Sequence, residues 1–357
     1  MGRAGHYFTS VNVGPLFGEL LALQFSEWLA QLESTLGAPA LPRNRLQIVE
    51  AGAHTGTLAK DILAWFRSQR PALWESIEYC IIEPSNRRQG WQRRTLVDFL
   101  SRVRWVGSLS ELIASSADSD TSLSQHPIRG IIFCNELLDA MPVHRFGWDA
   151  ARSAWFEWGV TYSNGRFSWI RLTEEQSGNT QLSLPPLVNL EPPNAPFSTA
   201  SEWLPDFLKA LPDAFTIELC PAANQWWAQA AGILDCGKLL AIDYGLTTEE
   251  LLSPEREGGT LRAYRKHHVS ADVLLDPGQQ DITAHVNFST LRETGESSGL
   301  KTELFSRQEQ FLTRIAATVL NRATGSGGWT AQRTRQFQTL THPNHLGHSF
   351  RVLLQSR

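Results

Sequence analysis

Four apolar runs in this chain end on an acid or an amide. Leu46-Gln-Ile-Val closes on Glu50, Tyr79-Cys-Ile-Ile on Glu83, Gly130-Ile-Ile-Phe-Cys on Asn135 and Glu136, and Lys238-Leu-Leu-Ala-Ile on Asp243. In open α/β sheets, ligands bind beyond the carboxyl ends of the strands. Buried strands that each deliver a polar group at that end are what such a crevice requires. Taken singly, each acid can equally cap the helix that follows, since the helix dipole favours negative charge at its start. As a set they favour a binding crevice.

The first of these turns reads Glu50-Ala-Gly52-Ala-His54-Thr-Gly56-Thr-Leu58. Gly52 allows a tight turn after the strand, and Gly56 lets the helix start approach a ligand or a strand closely. The spacing is neither the Gly-x-Gly-x-x-Gly of dinucleotide sites nor a phosphate loop, which would close on Gly-Lys-Ser/Thr. An acid ahead of the glycines repels a pyrophosphate and suits a cationic cofactor with a free amino group. Glu83 is placed to accept two hydrogen bonds from a ribose diol, a role common to nucleoside-binding α/β folds.

The segment after the fourth run, Cys134-Asn-Glu136-Leu-Leu-Asp139-Ala-Met-Pro142-Val-His144, opens above the expected cofactor. Methyl transfer from a sulfonium is an in-line displacement that needs a positioned nucleophile and exclusion of water. A guanidinium stays protonated in water, with a pKa above about 12, so carboxylates must grip and orient it. Glu136 and Asp139 are the candidates. The bland reading has Asp139 capping a turn before Pro142 and Glu136 solvated. His144 reads as the partner of a nearby acid or as a proton acceptor. Later come the basic, aromatic stretch Gly259–His268 and the stretch Asp281–Phe288. They read as surface or substrate loops and offer Arg262, Tyr264 and His285 as substrate-binding residues. His267 and His268 are adjacent, point opposite ways on a strand, and so rarely share an ion.

These residues need a frame to hold them. Apolar residues make up 42% of the 357 and charged residues 19%, which predicts a packed core rather than disorder. A net charge of -4 gives no reason to expect nucleic acid as a partner. Thirteen tryptophans read first as core packing. Four scattered cysteines without Cys-x-x-Cys spacing give little support to a metal site and fit a reducing compartment. Cys134 and Cys220 read as buried. No apolar run approaches the roughly 20 residues of a membrane span, and no signal peptide is visible, so no membrane insertion and a cytoplasmic location are expected.

Periodicity predicts a helix within Phe8–Leu32, capped by Asn12 or Ser10. Helices over 57–70, 86–102, 222–236 and 307–321 alternate with strands at 46–50, 79–83, 104–106, 130–134, 214–218, 238–243 and 349–354. The alternation predicts a doubly wound parallel sheet with helices on both faces. Asn164-Gly165 between alternating runs predicts a tight hairpin, set in an insertion. The polar stretches 115–127 and 173–200 read as loops. The expected division is 1–147 for the N-terminal helix and cofactor-binding half, 148–212 for the hairpin and Pro-rich insertion, and 213–357 for the rest of the core with substrate-side elements.

In order and spacing these blocks resemble the MidA family (DUF185), which includes an arginine methyltransferase relative among mitochondrial complex I assembly factors. The resemblance runs through Tyr7-Phe-Thr9-Ser10, Leu16-Phe-Gly-Glu19-Leu20, Glu50–Leu58 and Glu83-Pro-Ser85. It continues in Asn135-Glu-Leu-Leu-Asp139-Ala-Met-Pro142-Val143, Glu218-Leu-Cys-Pro221, Asp243-Tyr-Gly245, Gly259-Thr-Leu-Arg262, Asp281-Ile-Thr-Ala-His285-Val286 and Leu346-Gly-His-Ser-Phe350. It implies a seven-stranded, Rossmann-like class I methyltransferase fold with S-adenosyl-L-methionine as cofactor. It also implies symmetric dimethylation of an arginine on a respiratory-complex subunit, hence a protein substrate. Cofactor binding maps onto Glu50, Gly52, Gly56, Glu83 and Asn135, and the family's Asn-Glu-x-x-Asp block onto Asn135, Glu136 and Asp139. The chain departs from the family at His54, where glycine is usual, and at His6 and Asn287, where Asp is usual. His54 motivates one alternative, a catalytically silent assembly or scaffolding protein. The tryptophans motivate another, a small-molecule methyltransferase. An oligomer is compatible with all three.

Overall fold

Leu46–Ala51 forms β1, with Ile48 and Val49 both fully buried on opposite faces, as an unbroken apolar run requires of a strand covered on two sides. It pairs in parallel with β2 (Ile77–Ile82) on one flank and β4 (Ile128–Asn135) on the other. β3 (Val103–Val106) lies outside β2, and β9 (Leu234–Leu246) outside β4, again in parallel. Beyond β9 the sheet closes with β15 (Phe350–Ser356) and β14 (Lys301–Arg307), both antiparallel to their neighbours. The order is β14-β15-β9-β4-β1-β2-β3, seven strands as expected in number but with Lys301–Arg307, which no periodicity marked, in place of the run 214–218, and with one short extra pairing of β13 (Val286–Asn287) on Gly245–Leu246.

The structure is a computed structural model that describes residues 9–36, 46–116, 128–173, 175–177, 210–265, 268–270, 272–322, 329–343 and 345–357. The loops expected over 115–127 and 173–200 lie largely outside them, as do His6 and His267. The described residues fall into two compact units. The first comprises those within Phe8–Leu138, Gln225–Tyr244 and Arg292–Arg357; the second comprises those within Asp139–Asn224 and Gly245–Leu291. The hairpin insertion is therefore one part of a larger second unit.

In the first unit the helix Leu16–Leu36 presents Phe17, Leu21, Phe25 and Leu29, all at 0% exposure, at the four-residue spacing that keeps one face inward. Each such side chain contributes roughly 1.5–3 kcal/mol by leaving water. Phe25 meets Phe133 of β4 edge-on at 5.1 Å. The helix Thr57–Gln69, with Ile62 and Phe66 at 0%, joins the same core. Asn12 and Ser10, expected to cap the helix Leu16–Leu36, instead lie in a separate turn ahead of it that Thr9 caps. The Thr9 Oγ1 accepts from Asn12 N at 3.3 Å and opens a short 3-10 turn, Ser10–Val13, before the main helix starts beyond Pro15. The helix expected over 86–102 stops at Thr95, because Leu96 and Phe99 both turn inward and the chain passes through a 3-10 turn to bury them. No described helix is long and apolar enough to cross a membrane.

The second unit is built differently. A four-stranded antiparallel sheet runs β7-β6-β5-β8, from β5 (His144–Asp149), β6 (Ala154–Ser163), β7 (Arg166–Arg171) and β8 (Thr216–Leu219). Asn164 and Gly165 have φ of 51° and 76°, the double left-handed turn their types predict. The run 214–218, expected to rejoin the parallel sheet, instead pairs antiparallel with β5. Its core is Phe146, Trp148, Phe215 and Ile217. Cys220, expected buried, sits past the end of β8 and is half-exposed, its Sγ 3.3 Å from Pro142 O; Cys134 is buried as expected. The stretches around Arg262 and Asp281 pair in a small antiparallel sheet, β11-β10-β12, from β10 (Arg262–Arg265), β11 (His268–Ser270) and β12 (Asp281–Thr283).

Candidate functional site

Strand register puts the polar tips of the first unit on one edge. Ala51 stands opposite Ile82 on one side and Cys134 on the other, and Asn135 stands opposite Ile242. Gly52, Glu83, Asn135-Glu136 and Asp243 therefore leave the sheet side by side, at its carboxyl end. Asp243, noted in the sequence only as one strand tip among four, organises the row. Its Oδ2 accepts from Leu137 N at 3.1 Å and Leu138 N at 2.8 Å, and its Oδ1 from Tyr244 N at 2.8 Å. With Glu136 N donating to Ile242 O at 3.0 Å, these bonds bend the chain so sharply that Glu136 takes a left-handed φ of 51°. Backbone strain of this kind persists only where the surroundings over-determine it.

The turn buries the acid's carboxylate. Glu136 Oε1 accepts from Ser10 N at 3.1 Å and Asn135 Nδ2 at 3.2 Å. Glu136 Oε2 and Asn135 Oδ1 are buried acceptors with no donor among the described residues. Burial, then the neighbouring Asp243 charge, push the Glu136 carboxyl up to about 8, against the two hydrogen bonds. An acid held near neutrality, with a second acceptor oxygen beside it, is suited to meet a cation or take a proton.

Around the first turn, Gly52 has φ 78° and Gly56 φ 82°. A Cβ on Gly52 would lie 2.9 Å from Leu137 Cδ1, so this glycine also lets the β1 and β4 turns pack together. Glu83 Oε1 accepts from Ser85 N at 2.9 Å and Oε2 from Gln92 Nε2 at 3.2 Å, which leaves lone pairs on both oxygens for a diol. Gln92, fully buried, also reaches His54 O at 3.2 Å and accepts from Trp105 Nε1 at 2.9 Å. It ties the glycine turn to the second strand's acid. Nothing marked it in the sequence except a polar residue amid an Arg-rich helix. Glu50 lies on the face of β1 that carries Ile48. Its Oε2 accepts from Tyr79 Oη at 2.7 Å, and burial, partly offset by that bond, raises its carboxyl to about 7. His54 is exposed, with a left-handed φ of 45° where the family's glycine would stand.

The remaining candidates belong to the second unit. Asp139 is buried, and its carbonyl accepts from Ala284 N at 2.9 Å. Arg262 and Tyr264 lie on the face of β10 opposite buried Ala263; Arg262 is exposed. His285 N donates to Thr260 Oγ1 at 3.1 Å. His144 Nδ1 is 2.7 Å from Glu157 Oε1, the acid-partner arrangement.

Three comparisons bear on what this site serves. A family model described as an S-adenosyl-L-methionine-dependent methyltransferase matches residues 20–306. The chain is 27% identical to the mitochondrial protein arginine methyltransferase NDUFAF7 of Rattus norvegicus, across 98% of this chain and 74% of that protein. To its Homo sapiens counterpart it is also 27% identical, across 83% of this chain and 60% of that protein. A crystal structure from Burkholderia thailandensis with S-adenosyl-homocysteine bound is similar at 25% identity and a TM-score of 0.70, covering 98% of this chain and 79% of that one.

Proposed function

The chain belongs to the S-adenosyl-L-methionine-dependent methyltransferase family, and from that premise we propose that it methylates an arginine of a partner protein. The cofactor is S-adenosyl-L-methionine, which supplies a methyl group on a sulfonium. The residues present fit it: two left-handed glycines bring backbone to the crevice without side chains, and Glu83 keeps lone pairs for a ribose diol. Glu50, Gly52, Gly56, Glu83 and Asn135 would hold it.

The observation that carries arginine as the acceptor is the pair of buried oxygens, Glu136 Oε2 and Asn135 Oδ1, which lack donors among the described residues. Buried acceptors left unpaired are costly. A guanidinium brings several N–H donors in a planar fork, plus a positive charge that no described residue supplies to the Glu136 carboxyl, which is raised to about 8. As that cation docks, Glu136 is expected to ionise and release its proton. As the nitrogen gains a methyl it must lose a proton of its own, and Glu136 is the acceptor within reach of the same crevice. Asp139, Arg262, Tyr264 and His285 are proposed for the substrate side. The finer reading, symmetric dimethylation of a respiratory-complex subunit, is supported by the family resemblance and by the relatives' names. Four cysteines that form no disulfide with one another support a reducing compartment, the cytoplasm in this reading.

The test is intact-mass analysis of candidate partner proteins incubated with the enzyme and cofactor. A gain of about 14 Da per methyl, localised to arginine, is expected. Cofactor at a hundredfold excess over its dissociation constant should stabilise the fold by about 2.7 kcal/mol. Modification of a small molecule with no protein modified would overturn the arginine reading. No transfer to anything would favour a silent scaffold.

A further inference from the structure

Glu136 is the end of a chain of contacts that reaches far along the sequence. Ser10 donates its N–H to Glu136 Oε1 at 3.1 Å, across 126 positions. The Ser10 hydroxyl donates to Gln308 Oε1 at 3.2 Å, across 298 positions, and Gln308 Nε2 donates to Leu340 O at 3.0 Å. Ser10 and Gln308 are both at 0% exposure. A buried amide is tolerated when both its ends are bonded, and here both are. Gln308 opens the helix Gln308–Arg322, while Leu340 lies in the helix Ala331–Thr341, so one side chain joins two C-terminal helices to the first described turn.

What this does for Glu136 follows from the softness of its last torsion. The carboxylate torsion of glutamate is broad and roughly two-fold, so the two oxygens exchange easily unless donors distinguish them. Ser10 N and Asn135 Nδ2 both bond Oε1, and neither bonds Oε2. Asn135 is a flexible side chain adjacent to Glu136. The Ser10 donor is a backbone group in a turn that Thr9 closes from within and that Gln308 ties to the C-terminal helices.

We propose that Gln308 is a positioning residue, which locks the Ser10 turn so that Oε1 of Glu136 is occupied and Oε2 is the oxygen presented to substrate. The role assigned to Oε2 rests on the function proposed above; the locking of Glu136 does not. The charged group acting on Glu136 among the described residues is Asp243 of β9, which disfavours ionisation, while the Ser10 and Asn135 donors favour it. Loosening the Ser10 turn should therefore make Glu136 harder to ionise.

The experiment uses the full chain and the Gln308→Met variant, which keeps side-chain volume and removes both bonds. Losing one well-placed hydrogen bond is worth about tenfold. Turnover at neutral pH should fall by about that factor, with the pH of half-maximal activity displaced upward by about half a unit and S-adenosyl-homocysteine affinity unchanged. In a Glu136→Gln background the same change should cost less than about twofold, because the residue it acts through is already disabled. A purely structural role would give the full loss in both backgrounds, and that result overturns the proposal, as does a folded Gln308→Met protein with the wild-type rate and pH midpoint. Ser10→Ala, which keeps the N–H and deletes the hydroxyl, serves if Gln308→Met does not fold, with the same direction expected. A second readout needs no turnover. The difference in stability between the wild-type and Glu136→Gln proteins, followed against pH, should shift upward when Gln308 is replaced, and an unmoved profile counts against the inference. Absence of any methyl transfer in the wild type would sink the function above while leaving this readout intact.

Discussion

Glu136 in the first unit and Glu218 in the second both have buried carboxylate oxygens, and the two are finished in opposite ways. In the second unit Glu218 Oε2 accepts from Thr260 N at 2.7 Å and Thr260 Oγ1 at 2.9 Å, and Oε1 lies 3.3 Å from Arg145 Nε. Arg145 in turn donates to Gly258 O at 2.8 Å and stacks on Trp169 at 4.6 Å. Burial raises the Glu218 carboxyl, while Thr260 and Arg145 pull it back. Each acid keeps one oxygen, Glu218 Oε1 and Glu136 Oε2, without a hydrogen-bond donor among the described residues, but the charge beside it differs: Arg145 for Glu218, and the acid Asp243 with no described cation for Glu136. A buried carboxylate supplied with its counter-charge contributes to the fold. One left without it stores an interaction that only a ligand can complete.

The sharpest way to break this contrast is Glu136→Gln, which keeps the shape and removes the charge. Turnover should fall by about a hundredfold to a thousandfold, the usual range for losing a preorganised electrostatic group. The melting temperature should hold or rise, since an uncompensated buried acid is removed. Steady-state kinetics beside scanning calorimetry check both. A large drop in melting temperature would mean that Glu136 is structural like its counterpart.

Glu218→Ala should do the reverse. It leaves the half-buried guanidinium of Arg145 without a counter-charge, at a cost of about 2 kcal/mol. Urea titration should show a lower midpoint at unchanged slope. Stability within about 1 kcal/mol of wild type would show that Arg145 finds water or another partner, and the two acids would no longer differ in kind.

How much of this contrast could be read from sequence depends on distance along the chain. The strand tips were legible, because an apolar run ending in Glu or Asn states its own boundary, and so was the Asn164-Gly165 hairpin, because two left-handed residues need those types. The run 214–218 was misplaced because Phe-Thr-Ile-Glu looks the same in a parallel or an antiparallel sheet; only the partner decides, and β5 begins with polar His144-Arg145 and carries Gly147, which masks it as a strand. Glu136 could be singled out by type. Its left-handed turn could not, since Asp243 lies far along the chain, and neither could Ser10, Gln308 or Gln92, whose significance exists only in contacts.

Titration separates the acids again. Glu136 and Glu50 have folded values near 8 and 7 against 4.5 unfolded. Between 4.5 and those values the folded chain holds protons that the unfolded chain has released, so the stability from these groups is fully present below pH 4.5 and is lost as pH rises through 7 and 8. The loss should be on the order of 2 kcal/mol for Glu136, after allowance for relaxation around the charged form. Urea unfolding between about pH 5 and 9 should show this decline in wild type and a flatter profile in Glu136→Gln. A profile that rises with pH, or one that the substitution leaves unchanged, would mean that Glu136 is already ionised and paired.

The smallest effect concerns the other non-glycine residue that bends left-handed at a strand tip of the first unit. His54 and Glu136 have φ of 45° and 51°, yet the Glu136 carboxylate is sunk among Ser10, Asn135 and Asp243, whereas His54 is exposed. Left-handed backbone costs a residue with a Cβ roughly 1–2 kcal/mol. His54→Gly relieves that strain, but glycine loses more freedom on folding, which offsets most of the gain. The net change in stability should stay under about 1 kcal/mol. Because His54 is exposed, affinity for S-adenosyl-homocysteine by calorimetry should change by less than about threefold. A tenfold gain would mean that the ring obstructs the crevice, and a tenfold loss that it touches the cofactor. Either would make the strain at 54 functional in the sense argued for 136, whereas the expected near-silence makes it a tolerated departure in a turn whose neighbouring glycines do the work.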